Sequence, residues 1–204
     1  MKQKRKYGRP RIVAKATLPT RFGRFTILGV EGKGASEAVV VLRYGKARGA
    51  KPPLVRIHSQ CLTGDVLASE RCDCRAQLEY SLRKIARAGR GVLIYLPQEG
   101  RGIGLMNKLR AYELQDRGMD TVEANKRLGF EADHRDYRFC AEVIKRLGIR
   151  AVRLLSNNPD KVAQLEEAGI RVAERVPCQP RVSRRSRAYL RTKKAKLGHI
   201  LAGV

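Results

Sequence analysis

The stretch GVLIYLPQEGRGIGLMNKLRAYELQDRG, residues 91–118, decides the fold class of this chain. It opens with the continuous apolar run Gly91–Leu96, which predicts a strand. A helical pattern follows over residues 104–117, and Gly118 is its expected stop. A buried strand followed by a helix forms a βα unit, and such units lay strands side by side in a sheet covered by helices.

The alternation of strand and helix continues in the sequence after this stretch, whereas the sequence before it contains mainly strands. Downstream, the pattern predicts a helix at 136–147, a strand at 151–155, a helix at 160–168 and a strand at 171–176. Upstream, β-branched runs predict strands at 12–18, 22–30, 38–44 and 54–58, followed by a helix at 76–88. The front half therefore resembles an antiparallel meander. We predict an α/β fold: one domain with a mixed β-sheet flanked by helices.

Positive charge is concentrated at the two ends of the chain. The sequence holds 44 Lys and Arg against 19 Asp and Glu, a formal charge of +25. Residues 1–10 form a basic N-terminal tail and 181–204 a basic C-terminal segment around a catalytic domain at 11–180, and both ends are expected to be flexible. Such a field attracts polyanions, namely nucleic acid, anionic membrane or a triphosphate. The alternative is that the ends are merely basic tails.

Other features of the sequence reduce the number of candidate partners and indicate where the protein is located. No apolar run approaches the roughly 20 residues of a membrane span. The start MKQKRKYGRPR has no apolar segment behind it, so no secretory signal is expected and the predicted location is cytoplasmic. With four Phe, seven Tyr and no Trp, the chain lacks the aromatic surface on which single-stranded nucleic acids stack. Nucleic acid is therefore a disfavoured partner.

Three of the five cysteines have metal-ligand spacing. Cys61, Cys72 and Cys74 form the pattern C-x10-C-x-C, and an odd number of cysteines argues against a disulfide framework. Thiolates suit zinc, and three protein ligands leave a fourth position for water, as in catalytic sites. Two alternatives stay open: His58 as a fourth ligand of a structural site, or three reduced thiols without metal. The other cysteines are expected to be small buried thiols: Cys140 and Cys178.

Several further residues have both a functional and a structural interpretation. The segment PQEGRGIG, residues 97–104, either lets backbone N–H groups approach a phosphate or is a plain turn. Tyr112 has the helical spacing of a core or interface tyrosine. Asp133 can cap the helix after it, and Lys161 can be a phosphate ligand or surface charge.

Five segments resemble the GTP cyclohydrolase II family. They are RIHSQCLTGDVLASERCDC (56–74, continuing to Gln77), QEGRGIGLMNKLRAYELQDRGMDTVEAN (98–125), LGFEADHRDY (128–137), LLSNNPDKV (154–162) and YLRTKKAKLGHIL (189–201). The likeness runs in order from about residue 17 to the last residues of the chain. It implies a three-layer fold, a homodimer and the first reaction of riboflavin synthesis.

The implied reaction is the zinc-dependent hydrolysis of GTP. Zinc-bound water attacks carbon 8 of guanine, the imidazole ring opens and formate leaves. Attack on the α-phosphate releases pyrophosphate, with magnesium on the phosphates. The remaining product is 2,5-diamino-6-(5-phosphoribosylamino)pyrimidin-4(3H)-one.

The resemblance also implies roles for individual residues. Zinc would be held by Cys61, Cys72 and Cys74. The nucleotide site would consist of Arg56, Ile57, His58, Ser59, Gln60, Gln77, Glu99, Gly100, Arg101, Thr121, Ser156 and Lys161. Tyr112 would lie near the zinc-bound water, Asp133 would be the acid/base group, and Arg135 would have a nucleophilic role. The guanidinium of an arginine stays charged and lacks a free lone pair. From the residue type alone, we therefore expect Arg135 to stabilise charge on the phosphoryl group and not to act as a nucleophile.

Three positions depart from the family pattern. Gln60 stands where Glu is usual, Ser156 where Thr is usual, and Arg75 where Gly is usual. Gln60 lacks the carboxylate charge, and Arg75 brings a cation near the predicted metal. The competing hypotheses are therefore a divergent cyclohydrolase that gives a partial product without formate release and a basic nucleic-acid-binding relative.

Overall fold

The computed structural model describes residues 8–33, 37–46, 49, 51–130, 135–180 and 187–201. Within these ranges, none of the helices combines the length and the apolar character needed to cross a membrane.

Among the residues described, seven strands form one mixed sheet. Their bounds are β1 Arg11–Thr20, β2 Gly23–Glu31, β3 Ala38–Tyr44, β4 Leu54–Ser59, β5 Gly91–Leu96, β6 Ala151–Leu155 and β7 Arg171–Val176. The order across the sheet is β1-β2-β3-β5-β4-β6-β7. The pairs from β1 to β3, and β3 with β5, are antiparallel, whereas β5, β4, β6 and β7 run parallel. The predicted meander and the predicted βα units therefore occupy opposite halves of a single sheet.

In the described part of the chain, six helices connect or flank these strands. They are α1 Cys74–Arg87, α2 Leu105–Asp116, α3 Thr121–Arg127, α4 Arg138–Arg146, α5 Pro159–Glu167 and α6 Arg187–Leu197. A π-helical turn at Leu62–Val66 lies between β4 and α1, and a 3-10 turn at Glu99–Gly102 lies between β5 and α2.

The central strands β4 and β5 are buried on both faces, whereas the edge strands β1 and β7 are largely exposed. Val92 and Ile94 join a core cluster that also contains residues of α4 and α5. Leu93 points to the opposite face and packs in a second cluster with Leu82 and Ile85 of α1. Successive side chains of a strand point to opposite faces, so one short apolar strand serves both cores. The fold prediction of a single α/β domain with a helix-flanked mixed sheet is confirmed.

Two helices were not predicted. Helix α3 begins at a capping box, in which Asp120 accepts hydrogen bonds from the backbone while the side chain of Glu123 binds the backbone N–H of Asp120. Helix α6 lies in the segment after residue 180, for which flexibility was expected. That expectation is wrong for 187–201, because Leu190 is 1% exposed and anchors α6 in the protein.

The parallel strands bring three connections to one edge of the sheet. Strand β4 leads into the π-helical turn, β5 into the 3-10 turn, and β6 into residues 156–158 before α5. In open α/β sheets, ligands bind outside the carboxyl ends of the strands. The candidate site lies at this edge.

Candidate active site

The three predicted metal ligands come together. The sulfur atoms of Cys61, Cys72 and Cys74 all lie within 4.8 Å of one another, and the Cys61 and Cys72 sulfurs are 3.7 Å apart. Gly64 of the π-helical turn lies against them: a Cβ atom there would lie 2.9 Å from the Cys72 sulfur and 3.1 Å from the Cys61 sulfur. The close approach therefore requires a residue without a side chain.

Negative charge in this cluster is concentrated on Cys61. Hydrogen bonds from the thiols of Cys72 and Cys74 lower the pKa of Cys61, and the ammonium of Lys108 lowers it further. The same hydrogen bonding to Cys61 raises the pKa of Cys72 and of Cys74, because each of these thiols keeps its proton by donating. A thiolate is the form that binds metal, so the environment of Cys61 favours metal binding.

Lys108, on α2, connects this cluster to the two turns. Its Nζ lies 3.1 Å from the Cys61 sulfur, 2.9 Å from Thr63 Oγ1 and 2.8 Å from Glu99 Oε1. The other oxygen of Glu99 accepts a hydrogen bond from the Leu62 backbone N–H at 2.6 Å. Glu99 was predicted in the nucleotide site. In the structure both oxygens of its carboxylate bind groups of the protein, namely Lys108 and the Leu62 backbone.

Tyr112 lies one turn further along α2. Its hydroxyl is 3.1 Å from Thr63 Oγ1, and the guanidinium of Arg71 lies 4.8 Å from its ring centre. Burial raises the pKa of Tyr112, so its hydroxyl stays protonated near neutral pH. The ring lines a pocket that also exposes the cysteine cluster, which is inconsistent with the alternative of a core tyrosine.

The partner of His58 is Asp65, and His58 is not one of the clustered metal-binding residues. Its Nε2 lies 3.1 Å from each carboxylate oxygen of Asp65, and Asp65 also accepts hydrogen bonds from the Tyr95 hydroxyl and the Cys61 backbone N–H. Burial lowers the pKa of His58, which keeps the ring neutral. Among the described residues, the candidate metal-binding group contains the three sulfurs and not His58. The alternative of His58 as fourth ligand has no geometric support.

Most of the predicted site residues line the same pocket at the carboxyl edge of the sheet. These are Arg56, His58, Ser59, Gln60, Gln77, Glu99, Gly100, Arg101, Tyr112, Thr121, Arg135, Ser156 and Lys161, together with the three cysteines. Ile57 is in the core and fully buried, but its carbonyl oxygen accepts a hydrogen bond from Lys161 Nζ at 2.8 Å. Asp133 lies outside the described residues.

Two buried cations are fixed beneath this pocket. Arg56 donates to the Leu155 carbonyl at 3.1 Å and to Gln77 Oε1 at 2.6 Å. Lys161, at 4% exposure, donates to the Ile57 carbonyl. The acceptors in these contacts are neutral groups that hold the two side chains in place. Cationic side chains in a pocket attract an anionic ligand.

The 3-10 turn has an unusual backbone. Gly100 and Arg101 both adopt left-handed conformations, with φ of 61° and 62°. Glycine adopts this conformation easily, but a residue with a Cβ does so at a cost of order 1–3 kcal/mol. Arg101 is nevertheless 8% exposed and lines the pocket. Strained residues of this kind cluster at functional sites, which agrees with the prediction for Arg101.

The sequence interpretation missed several residues of the pocket and its support. They are Thr63, Asp65, Lys108, Asn125, Asn157, Tyr189 and His199. Thr63 and Asp65 stand between two predicted ligands, and that position was the signal that could have identified them. The other residues lie within the segments that resemble the family, and that membership was their only signal in the sequence.

Comparison with known proteins decides the family. The sequence model of GTP cyclohydrolase II matches residues 10–177. The chain belongs to the GTP cyclohydrolase II family. It is 55% identical over 192 residues to GTP cyclohydrolase-2 of Azotobacter vinelandii, covering 94% of this chain and 92% of that protein. It is also 55% identical to GTP cyclohydrolase-2 of Cronobacter sakazakii over 191 residues, 94% of this chain and 97% of the relative.

A third relative gives the same picture. GTP cyclohydrolase-2 of Pseudomonas putida is 55% identical over 189 residues, covering 93% of this chain and 92% of the relative. The family is one of hydrolases, and the chain is an enzyme of this class.

The departures from the GTP cyclohydrolase II pattern differ in their position. Arg75 pairs with Glu79 at 3.1 Å along α1, with 45% of its side chain exposed, and does not line the pocket. The cation that was expected close to the metal therefore points to solvent. Gln60 does line the pocket, and its backbone N–H is bound to the Leu96 carbonyl at 2.8 Å. Ser156, the third departure, also lines the pocket, so a substrate would meet both Gln60 and Ser156.

Proposed function

We propose that this enzyme uses one zinc ion to hydrolyse GTP to formate, pyrophosphate and 2,5-diamino-6-(5-phosphoribosylamino)pyrimidin-4(3H)-one, the first step of riboflavin synthesis. The observation that carries the proposal is the convergence of Cys61, Cys72 and Cys74 in the wall of a cationic pocket. The relatives are GTP cyclohydrolases, which supports GTP as the substrate.

The donor set fits zinc. Tetrahedral zinc with bonds to sulfur of about 2.3 Å separates two sulfurs by about 3.8 Å. The separation of 3.7 Å between the Cys61 and Cys72 sulfurs agrees with this value. Cys61, Cys72 and Cys74 would hold the ion, leaving one position for a ligand from solvent or substrate. A zinc ion there would supply Lewis-acid chemistry and lower the pKa of water to about 7 in favourable cases.

The chain itself supplies binding and orientation. The hydroxyl of Tyr112, fixed by Thr63 beside the cysteine cluster, orients the opened ring of the substrate by hydrogen bonding. Its protonated state near neutral pH makes it a donor. The remaining predicted nucleotide-site residues hold the base, ribose and phosphates.

The phosphate chemistry is assigned to the cationic part of the pocket. Lys161 and Arg135 stabilise the negative charge that develops on the α-phosphate as pyrophosphate leaves. Magnesium accompanies the substrate phosphates, since it prefers phosphate oxygens and its own waters to a full protein cage. Asp133 is assigned the acid/base role on the family resemblance. Stabilisation of charge is the role we assign to Arg135, because a charged guanidinium is a poor nucleophile.

Three further expectations rest on the sequence and on the family resemblance. A homodimer, a cytoplasmic location and a catalytic domain at 11–180 stay predictions. Light scattering on the purified chain tests the first of these directly.

The proposed reaction is tested by incubating zinc-loaded protein with GTP and magnesium and measuring formate, pyrophosphate and pyrimidine absorbance together. Release of all three, with loss of formate in Cys72→Ser, supports the complete reaction. Pyrophosphate without formate would identify a cyclohydrolase that gives a partial product, with Gln60 as the first position to restore to Glu. No turnover by protein with confirmed zinc would contradict the proposal.

A further inference from the structure

The segment 187–201 forms a wall of the candidate active site. It consists of α6 and the residues up to Leu201, and it lies beyond the family match at 10–177. Tyr189 and His199 both line the pocket that contains the cysteine cluster. The segment was expected to be flexible, and its contribution to the pocket was not anticipated.

Specific contacts hold this segment against the site. The backbone N–H of Ile200 donates to the Asn157 carbonyl at 2.9 Å. The side chain of Asn157 binds both backbone groups of Cys178, at 2.7 Å and 2.9 Å. Leu190 and Leu201 are 1% and 8% exposed. The segment is therefore joined to the β6–α5 connection, which itself lines the pocket.

His199 is positioned at the cationic part of the pocket. Its neighbour Ile200 is bonded to Asn157, and the next residue, Asn158, caps α5 by accepting from the Asp160 N–H at 2.9 Å. Lys161 stands in the first turn of the same helix. The amino end of a helix and a lysine both favour an anion. An imidazole N–H at this place suits a hydrogen bond to a phosphate oxygen.

Tyr189 lies at the strained turn. The guanidinium of Arg101 is 5.9 Å from the centre of the Tyr189 ring, within the range of cation–π attraction. Arg101 is buried and its backbone is held in a left-handed conformation. Both features limit the directions in which its side chain can point. The aromatic ring provides a flat surface beside the guanidinium, and the two groups together suit one face of a planar or anionic part of a nucleotide.

We infer that the segment 187–201 is part of the GTP site, with Tyr189 and His199 in contact with bound GTP. This inference rests on the proposed function, because it takes GTP as the occupant of the pocket. Tyr189 binds the nucleotide jointly with Arg101, and His199 donates to the phosphates. The segment contributes to binding of the substrate and takes no part in holding the metal.

The test compares full-length variants at equal zinc content. Tyr189→Ala and His199→Ala should each raise KM for GTP about tenfold while kcat changes less than about threefold, since lost substrate contacts act on binding. Tyr189→Phe keeps the ring and should stay near the wild-type KM. The matched control is Arg191→Ala, because Arg191 is exposed on the same helix and does not line the pocket. A rise in KM for Arg191→Ala equal to that for Tyr189→Ala would overturn the inference. It would mean that the segment acts only through its overall positive charge and not through contacts of Tyr189 with GTP.

A binding measurement keeps this inference separable from the proposed reaction. We would titrate wild type and variants with a GTP analogue that carries a methylene bridge between the α- and β-phosphates, and follow trypsin cleavage within α6. The analogue should slow cleavage of wild type several-fold and bind the two alanine variants about tenfold more weakly. If the analogue binds but GTP is not turned over, the proposed reaction is contradicted. The affinities of the variants for the analogue would still show whether Tyr189 and His199 contact the nucleotide. Unchanged affinities and cleavage, or no binding by wild type, would overturn the inference.

Discussion

The ammonium nitrogen of Lys108 lies 3.1 Å from the sulfur of Cys61. The same nitrogen forms a salt bridge of 2.8 Å with Glu99, and only about a tenth of either side chain is exposed. Three thiolates around a divalent metal leave a net negative charge, which a neighbouring cation stabilises. Lys108 also fixes the position of the sulfur, as hydrogen-bonding neighbours of metal ligands commonly do.

Lys108→Met should weaken zinc binding. The variant loses the cation at Cys61 and leaves the buried carboxylate of Glu99 without its salt bridge. We expect zinc affinity to fall about 10- to 100-fold, the range typical for partners of metal ligands. Competition with a chromophoric chelator measures this change. The control is Lys145→Met, which removes a lysine from an exposed pair with Glu142 and should leave zinc affinity unchanged. Equal affinities in wild type and Lys108→Met would show that the contact has no role at the metal.

Gly64→Ala should disrupt the cysteine cluster directly. The added Cβ would lie 2.9 Å from the Cys72 sulfur, closer than real contacts allow, so the sulfurs must move apart. Zinc per chain, measured by mass spectrometry of the metal after dialysis, should fall well below that of wild type. Gly29→Ala is the matched control, because its Cβ meets neighbours only at 3.5 Å and beyond. Full zinc content in Gly64→Ala would mean that the cluster adapts to the methyl group.

The five cysteines should fall into a reactive and an unreactive group when the protein is treated with N-ethylmaleimide. After chelation of the metal, Cys61, Cys72 and Cys74 should react, because they line the pocket and hydrogen bonds from the neighbouring thiols lower the pKa of Cys61. Cys140 and Cys178 are fully buried, and burial raises the pKa of Cys140 to about 12. Neither should react in the folded protein. Peptide mapping identifies the modified sites. Zinc-loaded protein is the control, in which the three clustered thiols should be protected; labelling of Cys140 there would contradict the burial.

The strands were predictable because their signal is local. Gly91–Leu96 and Ala151–Leu155 are apolar runs in sequence and buried strands in the structure, with the predicted bounds. Helix α6 was not predictable in this way. It is rich in basic residues, and the burial of Leu190 depends on packing that no local pattern records. Helix α3 had a local signal, the capping box of Asp120 and Glu123, which the interpretation overlooked.

The metal ligands were predictable from spacing, but the residues that support them were not. Cys61 and Cys72 are brought together by a single turn of the chain that lies between them. Lys108 reaches Cys61 across 47 residues of sequence, and Glu99 reaches Leu62 across 37. Such contacts follow from the parallel order of β4 and β5, which places the connections after both strands at the same edge. A single sequence does not specify that register.

His58 should make the folded protein less stable in mild acid. Burial lowers its pKa below the ordinary value of 6.5, so between 6.5 and the lower folded value the unfolded chain binds more protons than the folded chain. The free energy of unfolding must then fall as pH decreases from about 6.5 and level off above it. Thermal melting between pH 5 and 7.5 measures this slope. His58→Gln removes the titrating group and should flatten the slope; an equal slope in both proteins would assign the acid sensitivity to other groups.

Tyr112→Phe separates the hydroxyl of this residue from its ring. The variant keeps the aromatic face on which Arg71 lies and loses only the hydrogen bond to Thr63. If the hydroxyl orients the reacting ring, kcat for formate release should fall about 100-fold or more, in the range typical of positioned proton donors, while zinc content stays constant. Stopped assays of formate and zinc analysis give the two values.

The control for this prediction is Tyr80→Phe, since Tyr80 lies in α1, packs against the core and does not line the pocket. Thr63→Val extends the test, because it removes the partner of the Tyr112 hydroxyl at nearly constant volume. Thr63 Oγ1 also accepts a hydrogen bond from Lys108. A loss of rate in Thr63→Val intermediate between wild type and Tyr112→Phe, at unchanged zinc content, would therefore mean that Thr63 acts by orienting the tyrosine. An unchanged rate in Tyr112→Phe would contradict a catalytic hydroxyl, and the ring would then serve only as the surface on which Arg71 rests.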